Sequence, residues 1–243
     1  MDIAWEELGW ERLAARVGRR RLPVWDCTVG LVVGTDSVLL VDPGSSLREG
    51  AELRSQAERL TGRRVTHLAY THGHFDHVLG AAAFAGAEVF GAVGLAGVLS
   101  AEREELRAGA VAQGLAADEA EEAVDALVLP RHPVSGEWTL DLGGLQVLLA
   151  NVGPGHTGHD LAVLVPGERE VVFCGDLVEE SGEPQAGSDA VPGQWPAALD
   201  RLLALGGEDA LYVPGHGAVV DARFVHEQRD TLANRFGVSR ARD

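Results

Sequence analysis

The sequence predicts an α/β fold, because short apolar runs alternate with helical patterns and glycine-rich turns along most of its 243 residues. Hydrophobic residues make up 46% of the chain and charged residues 23%, which is ordinary for a globular protein with a substantial core. Neither a Pro/Ser-rich linker nor a repeat of fixed period divides the sequence. We therefore expect a single domain over residues 1–243.

Capping residues and glycines delimit the elements expected in the first ninety residues. Ser45 or Ser46 is expected to cap the first helix, which stops at Thr61-Gly62, and Asp76 is expected to cap the second. In chain order, the predicted elements are a hairpin of strands 30–33 and 37–41, a helix over 47–60, a buried strand in "VTHLAY", a helix from Asp76 to about Ala85, and a strand over 88–90.

The segment over residues 99–127 is Ala-rich, acidic and helical in character, unlike its neighbours. Its charged face is typical of a solvated helical connection, and this is the interpretation we favour for that face. Because the segment reads as an insertion between two sheet-forming halves, it is also a candidate cap over an active site.

Strand patterns resume after Pro130. The predicted elements are, in order, strands in "GEWTLD", "LQVLLANV", "DLAVLVP" and "EVVFCGD", a helix in "QWPAALDRLLAL", a strand in "ALYVPG" and a closing helix over 219–236. The alternation of strands and helices therefore continues to the end of the chain.

The chain is strongly acidic, with a formal net charge of −17 and a pI near 4.8, and all 20 of its basic residues are arginine. Nucleic acid is not expected as a partner, since a surface that tracks phosphates needs clustered Lys and Arg. The lack of lysine also excludes a lysine nucleophile or Schiff base. We expect a small-molecule substrate, and we leave both a monomer and a homodimer open.

Cysteine usage and the N-terminal segment indicate the compartment. Cys27 and Cys174 lie inside apolar runs, where a buried free thiol is the usual outcome, so no disulfide framework is expected. The N-terminus has acidic residues ahead of basic ones and does not read as a signal peptide. No run reaches the roughly 18 apolar residues of a membrane-spanning helix. These observations predict a cytoplasmic protein with no membrane partner.

The stretch "THGHFDHVLG", residues 71–80, puts three histidines and an aspartate into six consecutive positions. Neutral imidazole binds zinc and related ions well, and a carboxylate adds the anionic partner that such sites favour. On an extended segment His72 and His74 point the same way and can share one ion. Asp76 and His77 face elsewhere and can serve a second ion.

Three further candidate ligands follow predicted strands in glycine-rich turns. They are His156 in "GPGHTGHD", Asp176 in "VVFCGDL" and His216 in "YVPGHG". Loops at strand ends are where α/β folds build their sites, so we expect these side chains to join the histidine-rich stretch.

With these four motifs in this order, the chain resembles the metallo-β-lactamase superfamily of metallohydrolases. The motifs are H-x-H-x-D-H at 72–77, G-H-T at 155–157, G-D at 175–176 and G-H-G at 215–217. The resemblance covers nearly the whole chain and implies an αββα sandwich of two mixed β-sheets flanked by helices. It also implies two divalent metal ions at one edge, which we expect to be zinc, with iron and manganese left open.

The resemblance assigns the ligands position by position. His72, His74 and His156 would hold the first ion, Asp76, His77 and His216 the second, and Asp176 would bridge them.

The other polar residues near these motifs receive lesser roles. Asp42, at the end of "VLLVD", is expected to support a ligand histidine from behind. His159 is expected to be a supporting or turn residue close to the site. His67, His132 and His226 are expected outside it, as a packed strand residue, a surface or loop residue, and part of the closing helix.

The expected reaction is hydrolysis. Two ions roughly 3.5 to 4 Å apart can bridge a water and lower its pKa toward about 7, so a metal-bridging hydroxide is expected to attack a carbonyl carbon. Asp76 is the expected catalytic side chain, orienting the nucleophile or relaying its proton to the leaving group. Thiolates and acidic alkoxides leave with little protonation, so esters, thioesters and lactones are the expected substrates.

Departures from subfamily patterns narrow the branch. Asp176 stands where many true β-lactamases carry cysteine, and aspartate is what glyoxalase II-like thioesterases and lactonases have. Only 27 residues follow His216, so the additional C-terminal domain of glyoxalase II is not expected. The tyrosine of quorum-quenching lactonases is also missing, because Leu177, Val178 and Glu179 follow the aspartate. We expect a glyoxalase II-like or lactonase-like branch without that domain.

Three alternatives stay open. Persulfide dioxygenases of the same superfamily keep much of this motif set but use a single iron, bound by two of the histidines and the aspartate. A true β-lactamase and a non-catalytic metal-binding member are the other two. The seven intact ligand positions weigh against the non-catalytic member.

Overall fold

The computed structural model describes residues 3–238, and residues 1–2 and 239–243 of the expected domain lie outside the described residues. Two mixed β-sheets stack face to face, and helices cover the outer face of each. The predicted αββα sandwich is therefore confirmed. No helix among residues 3–238 is long and apolar enough to cross a membrane.

Within the described residues, the first sheet has seven strands whose order in space is their order in the chain. They are β1 (Glu11–Ala14), β2 (Val17–Arg21), β3 (Thr28–Val33), β4 (Val38–Val41), β5 (His67–Ala69), β6 (Glu88–Ala92) and β7 (His132–Val134). Neighbours are antiparallel from β1 to β4 and parallel from β4 to β7. The parallel pair β4 and β5 brings the residues that follow both strands to one edge.

The second sheet, over the same part of the chain, has five strands in the order β12-β11-β10-β9-β8. They are β8 (Glu137–Asp141), β9 (Gln146–Asn151), β10 (Leu161–Val165), β11 (Val171–Glu179) and β12 (Leu211–His216). β11 and β12 pair in parallel and the other neighbours are antiparallel. The candidate ligands of this half of the chain lie in the loop after β9 and on β11 and β12.

The helices fall into two groups, one for each sheet. Those of the first half are α1 (Leu47–Thr61), α2 (Phe75–Val78), α3 (Leu95–Ala101), α4 (Arg103–Ala112) and α5 (Ala117–Asp125), and those of the second half are α6 (Trp195–Gly206) and α7 (Ala222–Arg235). The segment 99–127, predicted to be helical, holds the end of α3 with α4 and α5.

Apolar side chains form three layers, one between the sheets and one between each sheet and its helices. In β3, Val29 and Leu31 pack toward the helices and Val32 packs between the sheets. Because both faces of this strand are buried, its sequence is a continuous apolar run rather than an alternating one. At Gly30 the Phe173 ring of β11 fills the space that a side chain would take.

Helix α1 begins and ends where the sequence predicts. Ser46 is the N-cap, and its hydroxyl accepts a hydrogen bond from the Glu49 amide at 3.2 Å. The Glu49 carboxylate accepts in return from the amide and hydroxyl of Ser45. Gly62 ends the helix in the left-handed conformation, with φ 69°.

The helix predicted from Asp76 to about Ala85 is wrong in its cap and its length. α2 has four residues, with His74 in the N-cap position. The Gly80 amide donates to the Gly44 carbonyl at 2.9 Å instead of continuing the helix. This contact with the loop after β4 ends the helix early.

Strands β1, β2 and β7 had no sequence prediction, and His132 was expected on the surface or in a loop. The loop placement is wrong, because His132 lies on β7, where its ring stacks on Phe90 at 4.6 Å. Its Nε2 atom is 2.6 Å from the Glu88 carboxylate. Pro133 hides this strand in the sequence, but β7 is an edge strand, where a missing N–H is tolerated.

Gly30→Ala should destabilise the sandwich, because the added methyl would lie 2.5 Å from the Phe173 ring. We expect the free energy of unfolding to fall by about 1–3 kcal/mol, the usual cost of overpacking a core. Gly109→Ala on α4 is the control, since among residues 3–238 no atom beyond its own helical turn lies within 4 Å of a Cβ there. Urea unfolding followed by circular dichroism measures both variants, and an unchanged midpoint for Gly30→Ala would contradict this packing.

Candidate metal centre

The structure brings all seven predicted ligands together at one edge of the sandwich. The first four follow β5 and the other three come from β9, β11 and β12: His72, His74, Asp76, His77, His156, Asp176 and His216. Asp176 lies within β11 at a break in its register with β12, and His216 is the last residue of β12, so neither lies past its strand as predicted. The break turns its carboxylate toward the histidines.

The first cluster of donor atoms belongs to His72, His74, His156 and Asp176, and these atoms lie within 4.8 Å of one another. The His156 Nε2 atom is 3.0 Å from His74 Nδ1 and 3.4 Å from Asp176 Oδ2. Tetrahedral ligands at about 2.0–2.1 Å from a metal are themselves about 3.3–3.5 Å apart. The spacing of this cluster therefore suits one metal ion.

The second cluster contains His77, Asp176 and His216, with the Asp76 carboxylate beside it. The Asp176 Oδ1 atom is 3.2 Å from His77 Nε2, and its Oδ2 atom is 3.3 Å from His216 Nε2. Asp76 Oδ2 lies 3.4 Å from the same His216 nitrogen. Asp176 thus belongs to both clusters, which is the position that a bridging ligand needs.

Two buried polar atoms in these clusters have no hydrogen-bond partner among residues 3–238. They are Nε2 of His72 and Oδ1 of Asp176. Buried polar atoms are normally satisfied, because leaving one unpaired is costly. A divalent cation would satisfy both atoms, so the residues present fit a metal centre.

The histidines of the site differ in the pKa of their imidazole rings. Burial lowers the pKa of His156 to about 4, so this imidazole is neutral and its lone pair is available. Burial also opposes charge on His216, but the adjacent Asp176 carboxylate outweighs it and raises the pKa of His216 to about 9. A cation entering the second cluster must displace that proton, so metal binding there releases protons.

Asp42 supports histidines of both clusters. Its carboxylate accepts hydrogen bonds from the Thr71 amide at 2.8 Å, the Thr71 hydroxyl at 2.7 Å and His77 Nδ1 at 2.8 Å. The Thr71 oxygen also lies 3.0 Å from His72 Nδ1. Because the Thr71 hydroxyl donates to Asp42, His72 Nδ1–H donates to Thr71, and the lone pair of His72 is on Nε2.

Three supporting contacts have no sequence prediction. Asp189 accepts a hydrogen bond from His74 Nε2 at 3.0 Å, which leaves Nδ1 of that ring for the first cluster. His216 Nδ1 donates to the Trp25 carbonyl at 2.7 Å. Arg19 donates to the Gly217 carbonyl at 2.9 Å, so residues before β3 hold the end of β12 in place.

Cys27 is a buried free thiol, as predicted, but it lies against the site. Its sulfur is 3.2 Å from the Asp76 carbonyl and 3.8 Å from both ring nitrogens of His77. Burial raises the pKa of this thiol to about 12, so it is protonated and donates to the carbonyl. Cys27 therefore packs on the His77 ring as a neutral thiol. Cys174 is also buried and free, as predicted.

Glycine is required at one position against the site. A Cβ on Gly215 would lie 1.8 Å from Asp176 Oδ1. The motif G-H-G thus contributes close approach of the backbone as well as a histidine.

The remaining histidines lie outside both donor clusters. His159 Nδ1 donates to the Val93 carbonyl at 2.9 Å, close to the site as expected. His67 lies on β5 and His226 on α7, as predicted.

A cavity of about 400 Å³ opens beside the first cluster, next to His74 and Asp189. Its walls come from α2, α3, α4 and the turn that carries His159. Part of the segment 99–127 therefore lines the approach to the candidate metal centre.

Comparisons with known proteins show the family of this chain. Residues 22–216 match the family model described as the metallo-beta-lactamase superfamily. The chain is 30% identical over 194 residues to metallo-beta-lactamase domain-containing protein 1 of Xenopus laevis. This match covers 79% of this chain and 71% of that protein. It is 25% identical over 206 residues to a metallo-beta-lactamase type 2 of Bacillus cereus, covering 84% of this chain and 72% of the relative.

A solved structure shares the whole architecture. A metallo-beta-lactamase from Pontibacter korlensis superposes with a TM-score of 0.71, covering 93% of this chain and 98% of that chain at 21% identity. At this identity the likeness shows the fold alone.

Asp42→Asn should weaken metal binding about 10–100-fold, because an amide supports the ligand histidine less well than the carboxylate does. Asp209→Asn, an exposed position between α6 and β12, is the matched control. Titration of zinc against a competing chelator measures both affinities. Equal affinity of Asp42→Asn and the parent would show that the hydrogen bonds of Asp42 do not act on the metal.

Proposed function

Because this chain belongs to the metallo-β-lactamase superfamily, we propose that it is a dinuclear metal-dependent hydrolase of small esters, thioesters or lactones. The superfamily consists mostly of hydrolytic metalloenzymes. The observation that carries the proposal is the pair of donor clusters that share the Asp176 carboxylate. A single metal site would need only one of these clusters.

We propose that zinc fills both clusters. Its borderline character suits sites rich in imidazole with added carboxylates. When bound, the two ions supply a water of lowered pKa and polarise the substrate carbonyl. His72, His74 and His156 would hold one ion, Asp76, His77 and His216 the other, and Asp176 both.

Asp76 is the proposed proton carrier. Its carboxylate lies 3.4 Å from His216 Nε2 and 3.6 Å from His77 Nε2, at the second cluster. From there it can orient a nucleophilic water and pass a proton to the leaving group. Leaving groups of low basicity need little protonation, which favours esters, thioesters and lactones over amides.

Hydrolysis of a β-lactam is the second candidate. The named activity of the Bacillus cereus relative favours it, at 25% identity over 206 residues. The aspartate at position 176, where many true β-lactamases carry cysteine, weighs against it. The segment 99–127 would act as a cap for either substrate class, since its helix α4 lines the cavity.

Asp176→Ala should lose one metal ion and nearly all hydrolysis while remaining folded, because it removes the only carboxylate common to both clusters of the described residues. Metal analysis by mass spectrometry should give about two zinc ions per parent chain and fewer in the variant. Activity is measured on a thioester, a lactone, an aryl ester and a chromogenic cephalosporin. Asp209→Ala is the control for loss of an exposed carboxylate.

The same measurements separate the alternatives. Unchanged hydrolysis by Asp176→Ala on a responsive substrate would contradict the two-metal proposal. One iron per chain, with oxygen consumed on a glutathione persulfide, would replace it with the dioxygenase. A preference for the cephalosporin would establish the second candidate.

A further inference from the structure

The cavity beside the candidate metal centre has an acidic rim, and from it we infer the charge of the substrate. We infer that the substrate is a small molecule with an apolar body and a cationic group, such as an ammonium, rather than an anion. This inference rests on the proposed hydrolase function and names its substrate class.

The inner wall of the cavity is apolar. Leu95, Val98 and Leu99 of α3 line it, together with Leu106 of α4 and Phe75 of α2. A volume of about 400 Å³ lies within the range of small-molecule sites. An acyl chain or aromatic ring can be buried against this wall while its carbonyl faces the donor clusters beside His74.

The rim carries Glu102 and Glu105, at the junction of α3 and α4. Both are exposed, and neither carboxylate has a hydrogen-bond or ion-pair partner among residues 3–238. Glu102 is the N-cap residue of α4 and Glu105 lies in the first turn of that helix, and both line the same cavity, where their like charges repel. A cation seated between them would relieve this repulsion.

The cavity also contains a hydrogen-bond acceptor on a histidine ring. His159 lines the cavity, and its Nδ1–H is used by the Val93 carbonyl. The Nε2 atom of this tautomer is therefore an acceptor. The positive charge of an ammonium group suits the two carboxylates, and an ammonium that carries N–H can also donate to this nitrogen.

An anionic substrate would lack a matching side chain. No arginine of the described residues lines the cavity, and the chain has no lysine. The net charge of the chain is −17 and stays negative when two divalent ions are bound, which adds a repulsive field for anions approaching the protein. Free carboxylates, such as those of cephalosporins and glutathione thioesters, are therefore disfavoured here.

The test uses three 4-nitrophenyl esters of one chain length: hexanoate, 6-(trimethylammonio)hexanoate and 6-sulfohexanoate. For the zinc-loaded parent protein, we expect kcat/KM for the cationic ester to exceed that for the anionic ester by about tenfold or more. The double variant Glu102→Gln/Glu105→Gln should reduce this ratio several-fold. The double variant Glu121→Gln/Glu122→Gln on α5 makes the same change in net charge away from the cavity and should keep the ratio.

A binding measurement separates this inference from the proposed function. Hexyltrimethylammonium and hexanesulfonate are titrated into the zinc-loaded protein by calorimetry, with tighter binding expected for the ammonium. If no ester is hydrolysed, the proposed function fails and the calorimetry alone decides the charge preference. Equal or reversed preference, or an effect shared by both double variants, would overturn the inference.

Discussion

The buried carboxylate of Asp176 is the constraint on which the rest of the site depends. An anion in a protein interior is costly unless groups around it compensate its charge. Here the imidazoles of His72, His77, His156 and His216 approach it within 3.7 Å. The positive φ of Gly175 and the bare Cα of Gly215 make room for it. Residues from both sheets meet at this carboxylate. The packing of one sheet on the other therefore also determines the positions of the donor atoms.

Around these groups, a second set of contacts holds the rings in one orientation each. Asp42, Asp189 and the Trp25 carbonyl each take one ring nitrogen and leave the other facing the clusters. They come from distant parts of the chain, and each accepts a hydrogen bond. The site is therefore set by acceptors behind the histidines as much as by the histidines themselves.

The sequence predicted the fold class, most strands and all seven residues that converge, because each motif lies at or near the end of an apolar run. The support from Asp42 was also predictable, since it ends such a strand. Asp189 and Trp25 were not, because an acidic loop residue and a backbone carbonyl carry no local pattern. The early end of α2 depends on the hydrogen bond from Gly80 to Gly44, a tertiary contact that overrides helical propensity. β7 was hidden because Pro133 is tolerated at an edge.

The attachment of His216 to residues before β3 has a thermodynamic consequence. His216 of the second cluster lies on β12, and its ring donates to the Trp25 carbonyl. Arg19 donates to the carbonyl of the next residue, Gly217. A ligand that binds only the assembled arrangement stabilises the folded state in proportion to the logarithm of its concentration. Metal binding therefore also stabilises the contact between the N-terminal strands and the second sheet. At low metal concentration we expect local unfolding of this contact as well as loss of activity.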